Sequence, residues 1–154
     1  MKKLLLVLAV AFSCNSVLFA QTHTEGELVR SAFKLEKKAV VGDYLQLNDS
    51  LSKIFWPIYD RYETERTAIS DRQIKLLEMY ANSYKGMDAA TAEKIYKESA
   101  SIQKAGVALR EKYAGTVKKN VSSAAALNFY MVEDYIATVI KSELYDAIPA
   151  PIHK

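Results

Sequence analysis

Residues 51–84 read LSKIFWPIYDRYETERTAISDRQIKLLEMYANSY. The apolar side chains of this segment recur at steps of three or four residues, or their sum, which places them on one stripe of a single long helix. The stripe consists of Leu51, Phe55, Ile58, Tyr62, Ile69, Leu76, Tyr80 and Tyr84. Because a helix with such a stripe is stable when the stripe is buried, the segment predicts helix-on-helix packing.

Two later segments and one earlier segment have the same spacing. The later ones contain Ile95, Ile102, Leu109 and Tyr113, and then Phe129, Val132, Ile136 and Val139; the earlier one, residues 24–42, contains Leu28, Ala32, Leu35 and Ala39. The chain has only five glycines and three prolines, which leaves little room for strands joined by tight turns. The sequence therefore predicts an all-α fold, a long antiparallel hairpin or bundle of about four helices.

Residues that favour helix ends give the predicted boundaries of the first two helices. Gly42 ends the first helix by accepting a positive φ. Asn48 caps the second helix, since its side chain accepts a hydrogen bond from a free backbone N–H. The second helix should then run from about Asp49 to Tyr84 and stop at Gly86.

The third and fourth helices have similar signals. Asp88 caps the third helix, which should run to about Lys119 with Gly106 on its apolar stripe, where a neighbouring helix comes close. Ser122 caps the fourth helix, which should run to about Ile148. The connections are short, so consecutive helices should be antiparallel neighbours.

Pro57 lies well inside the second helix. It lacks the N–H that would bond to the carbonyl of Lys53, and its ring crowds that turn. The sequence therefore predicts a kink at Pro57 that curves the long helix.

Charged residues are sorted by helix. Residues 93–119 include seven basic and three acidic side chains, whereas residues 122–148 include four acidic and one basic side chain. This sorting favours pairing of the third helix with the fourth, although surface ion pairs contribute only about 0–1 kcal/mol each.

The N-terminus has the pattern of a signal peptide over residues 1–20. Two lysines give a positive start, and the apolar run at residues 4–12 is too short to span a bilayer, which needs about 20 residues. A small residue, Ala20, precedes the expected cleavage. Cleavage near Ala20 would leave one helical domain, residues 21–154, without a transmembrane segment, in the periplasm or secreted.

An alternative uses Cys14 as a lipidation site, which would make the protein a lipoprotein. Cys14 is the only cysteine, so cleavage near Ala20 leaves no disulfide and no thiol in the exported chain. The same cleavage removes two lysines and no acidic residue, so the net charge falls from +3 to +1. A nearly neutral chain does not favour nucleic acid as a partner.

No pattern of residues indicates catalysis. The two histidines, His23 and His153, lie near the chain ends, and the sequence contains no glycine-rich phosphate loop and no Ser–His–acid set. We therefore expect a protein that is not an enzyme and has no cofactor and no metal site. A metal-binding role would need His23 and His153 to meet in a dimer.

Three polar residues lie on or beside the apolar stripes. Arg66 and Gln73 interrupt the stripe of the second helix, where they would fix the register or extend to its edge. Glu133 flanks the stripe of the fourth helix, and we expect a partly buried carboxylate paired with an arginine or a lysine.

Tyrosines and methionines supply the candidate contact surface. An aromatic ring with a polar tip suits half-buried surfaces and protein–protein contacts, and methionine adapts to irregular partners. The candidate contact residues are Trp56, Tyr59, Tyr62, Tyr84, Met87, Tyr113, Tyr130 and Met131. The alternative is that the tyrosines are core-edge residues of a thin bundle and that Trp56 packs under the first helix.

Several short motifs follow one another along most of the exported chain. They are Leu47-Asn48-Asp49, Phe55-Trp56-Pro57-Ile58-Tyr59 with Tyr62, the turn from Tyr84 to Asp88, Leu109-Arg110 with Lys112-Tyr113, Phe129-Tyr130 with Glu133, and Ala147-Ile148-Pro149. Together they resemble the Spy/CpxP family of small exported bacterial proteins. The family's Leu-Thr-x-x-Gln signature is replaced here by Leu47-Asn48-Asp49-Ser50-Leu51 and Met87-Asp88-Ala89-Ala90-Thr91.

The resemblance implies an all-helical periplasmic protein, often a homodimer, with the role of an ATP-independent chaperone or of an envelope-stress protein. We therefore expect a non-enzymatic protein that binds unfolded or partner proteins through a curved apolar and aromatic surface. The alternatives are a regulatory subunit that binds one specific envelope protein, and a metal-stress sensor.

Overall fold

The structure, a computed structural model, describes residues 36–146, and the side chains of residues 36–144. Its helices are α1 (36–45), α2 (Asp49–Ser83), α3 (Ala89–Asn120) and α4 (Ser123–Asp146). No strand occurs among these residues. The prediction of an all-α fold is confirmed.

Several predictions concern residues outside the described range. They are the signal peptide with its cleavage near Ala20, the lipidation site Cys14, the first helix before residue 36, His23, His153, and the end of the fourth helix at Ile148. Each of these stays a prediction.

The chain divides into two compact units, one ending at Asp43 and the other beginning at Tyr44. In the first unit, residues 36–43 are helical. The second unit contains α2, α3 and α4. The prediction of a single domain over residues 21–154 stays a prediction.

Helix α1 ends later than the sequence predicts. Gly42 lies inside α1, which runs to residue 45, and Gln46 follows with a φ of 47°. This is the left-handed region that glycine favours and that costs other residues roughly 1–2 kcal/mol. The prediction that Gly42 ends the helix is wrong, because a glycine permits a helix end without forcing one.

The predicted caps of the three long helices are confirmed. In each case a side-chain oxygen accepts a hydrogen bond from the backbone N–H three residues later, which satisfies a donor that the helix leaves free. The bonds join Asn48 Oδ1 to Leu51 N (3.0 Å), Asp88 Oδ1 to Thr91 N (2.6 Å) and Ser122 Oγ to Ala125 N (3.0 Å).

Helix α2 is continuous over 35 residues, which is about 52 Å at 1.5 Å per residue. Pro57 lies within this continuous helix. The predicted curvature at Pro57 stays a prediction. At its other end α2 stops at Ser83, with Tyr84 as the C-cap, one residue before the predicted end.

The three long helices pack in sequence order, α2 against α3 and α3 against α4. Tyr62 lies beside Tyr113, whereas Arg72, further along α2, bonds to Glu98, which is earlier in α3. The two helices are therefore antiparallel. The predicted apolar stripes form the core, in which the buried side chains include Phe55, Ile58, Tyr62, Ile102, Leu109, Tyr113, Phe129, Val132 and Ile136.

Burial is uneven along the hairpin that α2 and α3 form. Helix α4 contacts this hairpin near Phe55 and Tyr62 of α2 and near Arg110 of α3. We call residues 72–101, around the α2–α3 turn, the hairpin end. The stripe residues Leu76, Tyr80, Tyr84 and Ile95 are only half-buried there. The well-buried core lies at the opposite end of the hairpin.

The close helix approach predicted at Gly106 is wrong. A Cβ atom at Gly106 would meet Arg110 Nη1 at 3.9 Å, an ordinary contact distance, and a Cβ at Gly115 would meet no atom within 4 Å. We therefore expect Gly106→Ala to raise the free energy of unfolding by about 0.5–1 kcal/mol, because alanine loses less backbone entropy in a helix. Urea denaturation followed by circular dichroism measures the change.

Two further glycines serve as controls for this prediction. Gly115→Ala, also inside α3, should give a similar gain, whereas Gly86→Ala, in the turn after α2, should give a smaller one. A loss of stability in Gly106→Ala would show that a neighbouring helix needs the space at this position.

Candidate protein-binding surface

A buried carboxylate joins α4 to α2. Glu133, on α4, is 2% exposed. Its Oε1 accepts a hydrogen bond from the Tyr59 hydroxyl and its Oε2 accepts one from the Tyr62 hydroxyl, each at 2.8 Å. Glu133 is therefore more deeply buried than the partly buried carboxylate that the sequence predicts, and two tyrosine hydroxyls donate to it. The predicted pairing with an arginine or a lysine stays a prediction.

The two tyrosines are placed by their spacing on α2. Residues three apart lie on the same face of a helix, so both hydroxyls reach the same carboxylate. Burial raises the pKa of each hydroxyl, and the nearby charge of Glu133 raises the pKa further. Tyr59 and Tyr62 therefore remain neutral hydrogen-bond donors at physiological pH.

A second buried carboxylate, Glu63, lies beside this cluster at 4% exposed. It forms an ion pair with Arg66, in which Nε lies 2.9 Å from Oε1, and Arg66 also donates to Ser70 Oγ at 3.1 Å. Burial alone would lower the pKa of Arg66, but the carboxylates of Glu63 and Glu133 outweigh that effect and raise the pKa. Arg66 therefore stays charged, and both of these bonds lie within α2.

Aromatic rings pack around the two tyrosines. The Phe129 ring centroid lies 5.1 Å from that of Tyr62 and 6.3 Å from those of Tyr59 and Phe55, all in edge-on geometry. Edge-on ring pairs contribute about 0.5–1.5 kcal/mol beyond their buried area. Phe129 and Glu133 are one helical turn apart, so an apolar and a polar contact fix the same face of α4 against α2.

Ion pairs also join α3 to both of its neighbours. Arg110 Nη2 lies 3.0 Å from Asp134 Oδ1, which confirms the predicted pairing of the third and fourth helices. Helix α3 also pairs with α2, because Lys112 Nζ lies 2.7 Å from Glu65 Oε2. The distribution of charge in the sequence therefore predicted one neighbour of α3, which is α4, but not the other, which is α2.

The Glu65 carboxylate is held by two groups of α3. Lys112 is the larger cause, and the Tyr113 hydroxyl, which donates to Oε1 at 2.8 Å, is the next; both lower the pKa of Glu65. A carboxylate whose pKa is lowered by folding stabilises the folded protein. This stabilisation is fully present at pH values above the ordinary pKa of the group, 4.5. This contribution is lost as the pH falls through the lowered pKa.

Burial removes three residues from the predicted contact surface. Tyr59, Tyr62 and Tyr113 are 1%, 2% and 5% exposed, so in this structure they cannot meet a partner protein. The physical reason is that each hydroxyl donates a hydrogen bond to a carboxylate of a neighbouring helix, Glu133 or Glu65, which lets the whole side chain leave water. These three tyrosines are closer to the alternative, that the tyrosines are core-edge residues of a thin bundle, but they lie in the core itself.

The other predicted contact residues lie nearer the surface. Trp56, Tyr84, Met87 and Tyr130 are half-buried, and Met131 is exposed. Trp56 packs edge-on against Phe55 and Tyr59, with centroid distances of 5.1 and 5.6 Å. The structure does not bring the eight residues together into one surface.

Helix α4 instead exposes an apolar stripe that the sequence analysis only partly identified. Leu127, Met131 and Tyr135 are 61%, 51% and 56% exposed. They are spaced by four residues and therefore lie on one side of α4, away from the buried Phe129, Val132 and Ile136. We call these three residues the outer stripe. A second apolar period within α4 was the signal that could have revealed Leu127 and Tyr135.

The outer stripe is bordered by an ordered polar group. The guanidinium of Arg110 lies 5.8 Å from the Tyr130 ring centroid and bonds to Asp134, one residue from the stripe. Arg110 is thus held between an aromatic ring and a carboxylate. This contact fixes the side of α4 between the buried face and the outer stripe.

No protein-family model, curated protein or solved structure matches this chain. Within residues 36–146, no helix is both long and apolar enough to cross a membrane. The same part of the chain has no group of three or more His, Cys, Asp or Glu residues placed to hold a metal ion. Residues 36–146 thus form an all-α fold with a largely apolar core, which contains the buried carboxylate of Glu133, and with an exposed apolar stripe on α4.

Proposed function

We propose that this is a non-enzymatic, exported protein that binds unfolded polypeptides through the outer stripe of α4, as an ATP-independent chaperone. The signal-peptide pattern and the resemblance to the Spy/CpxP family support an exported, periplasmic protein. The outer stripe supports the binding of apolar segments.

The observation that carries the proposal is the exposure of Leu127, Met131 and Tyr135 on one side of a helix whose other side is fixed in the core. Apolar side chains grouped on a surface mark interaction sites more often than scattered ones do. A rigid support matters as well, because no energy is then spent on ordering the helix when a partner binds.

The size of the stripe indicates weak binding. Fully burying one large apolar side chain contributes about 1.5–3 kcal/mol, and association itself costs several kcal/mol. Three half-exposed side chains therefore suit short-lived contacts with many unfolded chains better than tight binding. Met131 and Tyr135 also tolerate irregular partners, since one is flexible and the other has a polar tip.

The test compares two triple variants in an aggregation assay. Reduced α-lactalbumin aggregates, and light scattering is recorded with and without a stoichiometric amount of the purified protein. We expect suppression by the natural protein and loss of most of it in Leu127→Ser/Met131→Ser/Tyr135→Ser. Because all three positions are exposed, each substitution should change the free energy of unfolding by no more than about 0.5 kcal/mol.

The matched control replaces three exposed apolar residues elsewhere, Ile74→Ser/Tyr96→Ser/Val107→Ser, and should keep the suppression. Absence of suppression by the natural protein contradicts the proposal, as does equal suppression by both variants. Recovery of one partner from periplasm in a fixed ratio, without suppression, would support the regulatory subunit instead.

A further inference from the structure

A groove runs between α2 and α3 at the hairpin end, with a volume of about 670 Å³. Its lining comes from α2 and α3, and no residue of α4 contributes to it. Leu76, Met79 and Ala90 supply the apolar part of the lining. The groove is therefore separate from the outer stripe of α4.

Six charged residues line the groove, and four of them form two salt bridges with each other. Arg72 pairs with Glu98 at 2.8 Å, and Lys97 pairs with Glu93 at 2.9 Å. The remaining charged lining residues are Lys75, on α2, and Lys94, on α3, and both are exposed. Neither forms a salt bridge with a described residue, although the charge of Lys94, after the larger effect of Arg72, helps to lower the pKa of Glu98. The lining thus combines three apolar side chains with two exposed lysines, one on each helix.

The dimensions of the groove favour a small ligand over a protein. The lining runs over residues 72–79 of α2 and 90–101 of α3, about 10 and 16 Å at 1.5 Å per residue. The volume lies within the 300–1,000 Å³ that is usual for small-molecule sites. A standard protein interface would engage about 20–30 residues on each side, whereas this groove is lined by ten.

We propose that the groove binds a single-chain anionic amphiphile, such as an alkyl carboxylate of medium length. The alkyl chain would lie on Leu76 and Met79, and the carboxylate would lie between the ammonium groups of Lys75 and Lys94. The apolar side chains of the lining match an alkyl chain, and the two lysines match one negatively charged head group. The proposal does not depend on the outer stripe or on chaperone activity.

The test titrates the purified protein with decanoate below its micelle concentration. The methyl groups of the methionines are labelled with ¹³C, so Met79 reports on the groove and Met131 on the outer stripe. We expect a saturable shift of the Met79 signal and little change at Met131. Decyltrimethylammonium has the same chain with a positive head, and should bind at least about fivefold more weakly.

Variants of the rim test the role of charge. Lys75→Gln/Lys94→Gln should raise the dissociation constant for decanoate about five- to tenfold, since exposed ion pairs are weak individually. Lys104→Gln/Lys118→Gln removes two exposed lysines of α3 outside the groove and should leave the constant unchanged. All four positions are on the surface, so both variants are expected to fold.

Three outcomes would overturn the proposal. They are a Met79 signal that does not move, equal binding of the anionic and cationic amphiphiles, and a Met131 shift as large as that of Met79. The second would mean that the two lysines do not recognise the head group. The third would mean unspecific binding to any apolar surface.

Discussion

Replacement of Glu133 by alanine is expected to lower the free energy of unfolding by about 3–5 kcal/mol. The substitution leaves the buried hydroxyls of Tyr59 and Tyr62 without their acceptor, and an unsatisfied buried polar group costs about 1–3 kcal/mol. It also removes a side chain that is 2% exposed, which leaves a cavity. Since whole domains are stable by only about 5–15 kcal/mol, urea denaturation should show the loss clearly.

Three further variants separate the hydrogen bonds from other effects. Glu133→Gln keeps a carbonyl acceptor for one hydroxyl and should lie between the natural protein and Glu133→Ala. Glu111→Ala, at an exposed acidic position of α3, should change stability by no more than about 0.5 kcal/mol. Tyr59→Phe/Tyr62→Phe added to Glu133→Ala removes the orphaned donors and should restore part of the stability.

A change of less than about 1 kcal/mol in Glu133→Ala would contradict this account. It would mean that water or another acceptor satisfies both hydroxyls. The same conclusion would follow if the added Tyr59→Phe/Tyr62→Phe pair lowered stability further.

Phe129→Ala is the second substitution with a large expected effect, also about 3–5 kcal/mol. The ring is 1% exposed and meets three other rings, those of Phe55, Tyr59 and Tyr62. Truncation removes these contacts and leaves a cavity at the point where α4 meets α2. Thermal unfolding followed by circular dichroism measures the loss.

The matched control lies two residues away. Leu127→Ala, at a position that is 61% exposed, should change stability by no more than about 0.5 kcal/mol. If Leu127→Ala destabilised the protein as much as Phe129→Ala, Leu127 would have to be buried, which contradicts the exposed outer stripe described above. Equal and small effects would show that the aromatic cluster contributes little.

The long helices could be predicted because their signals are local. The caps at Asn48, Asp88 and Ser122 each act over three residues, and the apolar period is visible within any two turns. The end of α1 was missed because the helix continues past Gly42, where the local sequence favours an end, and stops before Gln46, whose left-handed φ the local sequence does not favour.

The candidate site was predicted less well because its partners are far apart in the chain. Tyr59 and Glu133 are separated by 74 residues. The sequence around Tyr59 therefore does not show whether its hydroxyl bonds to a buried carboxylate or to water. Two residues of the outer stripe were missed for a related reason. Leu127 and Tyr135 stand beside a stronger apolar period, that of the buried face of α4.

The position of the single tryptophan decides what intrinsic fluorescence reports. Trp56 packs edge-on against Phe55 and Tyr59, at the end of the bundle where α4 covers the hairpin. Its emission therefore reports directly on the packing at that end. Fraying of the half-buried helices around Tyr84 is silent in this signal, whereas amide hydrogen exchange registers it residue by residue.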